Sequence, residues 1–158
     1  MFSLTDAPHW RPRRRRDTSP LADVPSLRDG DPRQLAELAS HTDRLRLPPA
    51  RTLVRAGELA RQLIAVVSGE ATAYLPDGRV AVLHAGDEIG GRELLHNERH
   101  RATVVTASDV EVVVVTGPAV RWAHQTGVAD RHTTRAVRTA RVATRPTEGI
   151  LSHLLRRA

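Results

Sequence analysis

Gly86-Asp87-Glu88-Ile89-Gly90-Gly91-Arg92-Glu93-Leu94-Leu95, followed three residues later by Arg99-His100-Arg101-Ala102-Thr103-Val104, is the stretch that decides how this chain is read. A glycine-rich turn that opens a single helical turn leaves backbone N–H groups without partners. A basic residue a few positions on can hold an anion against them. Short β-branched runs separated by glycine turns surround this stretch from Gly57 to Val115. An anion-holding turn set among strands reads first as part of a small-ligand sensor.

The flanking segments supply the strands. Leu63 to Val67 is an apolar run that fits a buried strand, and Ser68-Gly69 turns it into Ala71 to Leu75. Asp77-Gly78 is a two-residue hairpin signal between Tyr74-Leu75 and Val80 to Leu83. Ala102–Thr106 and Val110–Val115 also read as strands. So do Leu45 and Leu47, which alternate with Arg44 and Arg46, and Leu53-Val54 after Pro48-Pro49. Strands at roughly 8–12-residue spacing argue for a sandwich or barrel rather than an α/β sheet.

Helices are expected on either side. Asp31 is a cap, Pro32 takes the first helical position, and Leu35, Leu38 and Ala39 share a face. Pro118 opens a helix to about Gln125, stopped by Gly127. A further helix is expected over Ala129–Ala143, with Ala129, Thr133, Ala136, Val137 and Ala140 on one face and Arg131, Arg135, Arg138 and Arg141 on the other. After Pro146, Ile150, Leu151, Leu154 and Leu155 form a short apolar stripe. Residues 1–25, with Pro12, Pro20, Pro25 and an arginine run, read as a disordered basic tail.

With 158 residues the chain suits one domain with tails. The absence of cysteine excludes disulfides and thiolate metal sites. No apolar run approaches the roughly 20 residues that cross a bilayer. The N-terminus lacks a signal-like apolar region, so the cytoplasm is the expected location. All 24 basic residues are arginine, and they are unevenly placed. Residues 1–16 carry five Arg against Asp6, residues 17–120 carry 11 Arg against 15 acids, and residues 121–158 carry eight Arg against Asp130 and Glu148. The strand region is therefore mildly acidic and the tails basic. That distribution admits contact with nucleic acid or an anionic surface, and it equally fits an arginine-biased composition.

Taken in order, these pieces resemble the cyclic-nucleotide-binding domain of the catabolite activator protein family, protein kinase A regulatory subunits and gated channels. The resemblance runs from about Leu27 to Gln125. It rests on the leading helix, on Val54-Arg55-Ala56-Gly57-Glu58, and on Ile64-Ala65-Val66-Val67-Ser68-Gly69-Glu70-Ala71. It continues through Asp77-Gly78-Arg79, Leu83-His84-Ala85-Gly86-Asp87-Glu88-Ile89-Gly90 and Arg101-Ala102-Thr103-Val104. It implies a mainly β fold, a jelly-roll (double-stranded β-helix) with flanking helices. The domains would then be a tail at 1–25, the jelly-roll at 26–127 and a helical tail at 128–158.

The resemblance also implies a pocket beneath the Gly90–Leu95 turn for a cyclic phosphate, ribose and base, with cAMP or cGMP as the ligand. In the family, a glutamate after the glycine of a Phe-Gly-Glu turn accepts the ribose 2′-OH; that position is Gly91 here. The family's arginine, two residues before the alanine of Arg-x-Ala, falls on His100. Strand alternation turns Arg99 and Arg101 away from the face His100 takes. Glu93 stands where the family has a small inward-facing residue. The candidate ligand contacts are Gly90, Gly91, Arg92, Glu93, Leu94, Arg99, His100, Arg101 and Ala102. Three readings stay open: a pocket drifted away from cyclic nucleotides, a nucleotide held in altered register by Arg99 or Arg101 with Glu93, or another small anion or a different ligand altogether.

Nothing in the sequence supports catalysis, a metal site or a cofactor. His84 lacks a second histidine two residues away, and Ser68 reads as a turn residue. Trp122 is expected to pack a helix on the barrel, whereas Trp10 lies in the basic tail. The 31 residues after Gly127 do not suffice for a dimer helix plus a winged helix-turn-helix. The chain is thus expected to be a stand-alone, non-enzymatic regulatory module acting through an unknown protein partner. The alternative is a scaffold whose basic tails contact nucleic acid or an anionic surface. The small-residue face at Ala129, Ala136 and Ala140 suits a homodimer.

Overall fold

A computed structural model describes residues 19–27 and 29–128. The helix expected over 129–143, the apolar stripe after Pro146, the first 18 residues and the homodimer face lie outside the described residues.

Two four-stranded antiparallel sheets form the body. The strands are β1 (Thr42–Leu47), β2 (Thr52–Val54), β3 (Gln62–Ser68), β4 (Ala71–Tyr74), β5 (Val80–Leu83), β6 (Glu88–Ile89), β7 (Thr103–Thr106) and β8 (Val110–Thr116). One sheet has the order β1-β8-β3-β6 and the other β2-β7-β4-β5. Ile64, Val66, Ile89, Val110 and Val112 of the first sheet pack on Leu53, Val54, Ala71, Ala73, Ala81, Leu83 and Val104 of the second.

The opposite face of the first sheet is covered as well. Leu63, Ala65, Val113 and Val115 join Leu21, Val24, Leu27, Leu38, Leu94, Val120 and Val128 in a second core. This explains why Leu63 to Val67 reads as a continuous apolar run: β3 alternates between two cores and has no solvent face to write in polar residues. Glu111 takes the outward side of β8 at its start and pairs with Arg44 at 2.5 Å.

Among the described residues three α-helices accompany the sheets: α1 (Pro32–Ala39), α2 (Gly91–Leu95) and α3 (Gly117–Gln125). The Asp31 side chain accepts from the Arg33 and Gln34 N–H groups, as the cap reading predicts. Trp122 packs against the helix-side core, as expected. No helix among the described residues is long and apolar enough to cross a membrane.

Two sequence expectations need correction. Residues 19–25, assigned to a disordered tail, include a 3-10 turn at Ser19–Asp23, and Leu21 and Val24 are 0% exposed. Leu21, Val24 and Leu27 recur every three residues and seal the outer face of the first sheet, burial that outweighs the local proline content. The Ser26 N–H donates to Glu88 Oε1 at 2.9 Å, which ties this segment to β6. The second correction concerns the β4–β5 hairpin, whose loop has three residues rather than two. Leu75 N–H donates to the Arg79 carbonyl (2.9 Å) and Gly78 N–H to the Leu75 carbonyl (3.1 Å). Pro76 sets the first turn residue, and Gly78 at φ +82° closes the loop in the left-handed region.

Candidate functional site

β6 delivers the chain into the glycine turn. Gly90 adopts φ +82°, and an added Cβ there would lie 2.8 Å from the Gln62 carbonyl oxygen and 2.9 Å from His100 Cε1. A side chain at this position would therefore be both strained and obstructed, so glycine is required. The Gly90 carbonyl accepts the Leu94 N–H at 2.9 Å and starts α2. Gly91 is helical, and a Cβ on it would meet only Leu63 Cδ1, at 3.0 Å.

The chain leaves α2 through Asn97 at φ 55° and returns beside the segment before β3. His100 N–H donates to the Glu58 carbonyl and Gly57 N–H to the His100 carbonyl, both at 2.8 Å. Leu59 and Arg99 form a bridge between the two segments. This pairing fixes the alternation. The His100 ring lies over Gly90 and is half buried, while Arg99 and Arg101 are exposed. Arg99 Nη1 donates to the Gly57 carbonyl at 2.7 Å, and Arg101 Nη2 lies 3.5 Å from Glu98 Oε2.

Of the candidate contacts, the structure brings Gly90, Gly91, Glu93 and His100 together around the turn. Arg99 and Arg101 are committed elsewhere. Leu94 is fully buried in the helix-side core, where Leu94 Cδ1 lies 3.2 Å from a Cβ position on Gly117. Ala102 packs on the inter-sheet core. Arg92 is half buried and makes no ion pair among the described residues. Sequence reading missed Glu58, whose approach to His100 depends on the antiparallel return and carries no local signal.

Burial pushes the His100 imidazole below its ordinary pKa, opposed by the negative charges of Glu93 and then Glu58. The neutral ring is favoured, yet the site's surroundings are acidic. Among the described residues no three His, Asp or Glu side chains are placed to hold a metal ion. The arrangement offers a glycine turn, one weakly basic ring, two carboxylates and the half-buried guanidinium of Arg92.

A β jelly-roll with a glycine-turn cassette between β6 and β7 defines a class of ligand-sensing domain. Residues 44–126, just over half of the chain, match the cyclic nucleotide-binding domain family, and the chain belongs to that family. A cAMP-dependent protein kinase regulatory subunit of Colletotrichum orbiculare is 32% identical over 102 residues, covering 63% of this chain and 26% of that protein. An uncharacterised NTE family protein of Mycobacterium tuberculosis is 40% identical over 83 residues, 51% of this chain and 14% of that protein. The sensor domain of the transcriptional regulator DNR from Pseudomonas aeruginosa superposes with a TM-score of 0.62 at 18% identity, covering 70% of this chain and 81% of that one. The chain thus spans 26% or less of these two curated relatives.

Proposed function

We propose that this chain is a non-enzymatic regulatory sensor module, cytoplasmic and acting through a protein partner, whose cassette has lost most of its grip on cyclic nucleotides. The observation that carries the reading is the pair of replacements at the turn. Gly91 offers no carboxylate to a ribose hydroxyl, and the half-buried His100 replaces a permanent cation. Each charge-assisted hydrogen bond lost costs about 1.5–3 kcal/mol, and the two together weaken binding by about two decades or more. Output runs through the contact of α2 with α3, where Leu94 meets the start of α3 at Gly117.

Restoring the two groups tests the reading. Gly91→Glu is sterically admissible, because the helical backbone needs no left-handed φ and only the end of Leu63 must give way. Calorimetric titration of the Gly91→Glu/His100→Arg chain with cAMP and cGMP should reveal saturable binding tighter than wild type. A double variant that folds and binds no better than wild type would show that these positions are wrongly assigned.

A second reading is favoured by charge placement. Residues 19–128 hold 12 Arg against 14 acids, whereas 1–18 and 129–158 together hold 12 Arg against four acids. Val128 Cγ1 lies 2.7 Å from a Cβ position on Gly30, so the described C-terminal end packs beside the N-terminal segment. A scaffold carrying both basic stretches would bind nucleic acid without sequence preference. Each phosphate contact on duplex DNA would add about −0.9 to the slope of log K against log salt. A gel shift at physiological salt that shows no retardation would remove this reading.

A further inference from the structure

Glu93 occupies the first turn of α2 and is half buried. The His100 ring covers the start of that turn, 2.9 Å from the place a Gly90 Cβ would take. Glu58 faces the same histidine from the segment before β3, its carbonyl accepting the His100 N–H at 2.8 Å. Among the described residues, neither Glu93 nor Glu58 forms an ion pair within 4.0 Å, with His100 or with any arginine. The two carboxylates are nevertheless the charges that bear on the ring, Glu93 more strongly than Glu58. Arg99 and Arg101 are turned away, the first bound to the Gly57 carbonyl and the second beside Glu98, while Arg92, next to Glu93 on α2, is half buried and offsets one of the two carboxylates. With the imidazole neutral, Glu93 and Glu58 against Arg92 leave the turn with a single net negative charge.

Resting on the sensor reading above, we infer that Glu93 sets the charge selectivity of the cassette: its carboxylate, carried on the first turn of α2 whose start His100 covers, refuses a phosphate anion and favours ligands that are neutral or cationic at that end. A like charge at close range in a half-buried site is screened far less than one at the surface. The weak anion affinity then has a resident cause beyond the two missing groups. An arginine placed at position 100 would feel the same Glu93 charge that acts on the histidine and be partly offset by it.

The test uses the full chain, with cAMP as probe, in four variants: His100→Arg, Glu93→Gln/His100→Arg, Glu93→Ala/His100→Arg, and Gly91→Glu/His100→Arg. His100→Arg alone should gain less than about tenfold in affinity, and removing the Glu93 charge should add at least about tenfold more, in excess of additivity. In the otherwise wild-type chain, Glu93→Gln should move the His100 titration, followed by NMR of the ring protons, to lower pH. Glu93 opposes the effect of burial there, and Gln keeps the side chain's shape. An unchanged His100 titration, or equal affinity with and without Glu93, overturns the inference. If Gly91→Glu/His100→Arg binds cAMP while replacing Glu93 adds nothing, the inference alone fails. If no variant binds cAMP, the sensor reading fails and takes the inference with it.

Discussion

Gly90→Ala gives a graded test of the turn geometry. Gly90 and Gly78 share φ +82°, but the space around them differs. At Gly78 an added Cβ meets nothing within 4 Å, so Gly78→Ala carries only the left-handed cost of about 1–2 kcal/mol. At Gly90 the same atom would lie 2.8 Å from the Gln62 carbonyl oxygen and 2.9 Å from His100 Cε1. The histidine can rotate away, but the carbonyl belongs to β3 and moves only with the strand. That overpacking adds about 1–3 kcal/mol. Gly91→Ala should cost least of the three, since its backbone is helical and only the end of Leu63 is near. Thermal and urea unfolding of the three variants would rank them. At about 3–6 °C per kcal/mol for a domain of this size, Gly90→Ala should melt at least about 3 °C below Gly78→Ala. Equal losses at positions 78 and 90 would refute the close approach of β3 and His100 to the turn.

Three further outcomes are expected. Leu94→Ala should cost about 2–5 kcal/mol in denaturant unfolding, because a fully buried side chain between α2 and α3 leaves a cavity. His100 binds a proton less readily in the folded chain than in the unfolded one, so stability is complete above the ordinary histidine value of 6.5 and declines as pH falls through it. His100→Gln should flatten that decline in melts run at about pH 7.5 and about pH 5.5. Arg44 links Asp23 (3.1 Å) and Glu111 (2.5 Å), holding the N-terminal turn to β1 and β8. Because all three groups are partly exposed, Arg44→Met should cost only about 0.5–1 kcal/mol, and less in high salt.

The fold was legible wherever burial wrote a pattern into consecutive residues. Leu63 to Val67 announced a strand because both of its faces are covered. Asp31-Pro32 announced α1 because cap chemistry is local. β6 is only Glu88–Ile89, too short to show any alternation, and is fixed by pairing with β3 at Ile64 and Ala65. The stripe Leu21, Val24, Leu27 was hidden among prolines, and its burial depends on a sheet face built from residues far along the chain.

The site divides in the same way. Gly90, Gly91 and His100 could be placed from the order of motif residues, and alternation correctly turned Arg99 and Arg101 outward. The presence of Glu58 beside His100 could not be placed. It follows from the antiparallel pairing of Gly57 and Glu58 with His100, a contact no spacing within the motif encodes.

Titration of the wild-type chain with cAMP near neutral pH tests the central claim most directly. With Gly91 and His100 at the turn and Glu93 and Glu58 bearing on the ring, no saturable binding is expected below about 100 μM ligand. Binding with a sub-micromolar Kd would contradict the account, since it would require a phosphate anion to be held firmly where the structure offers a half-buried histidine and two carboxylates.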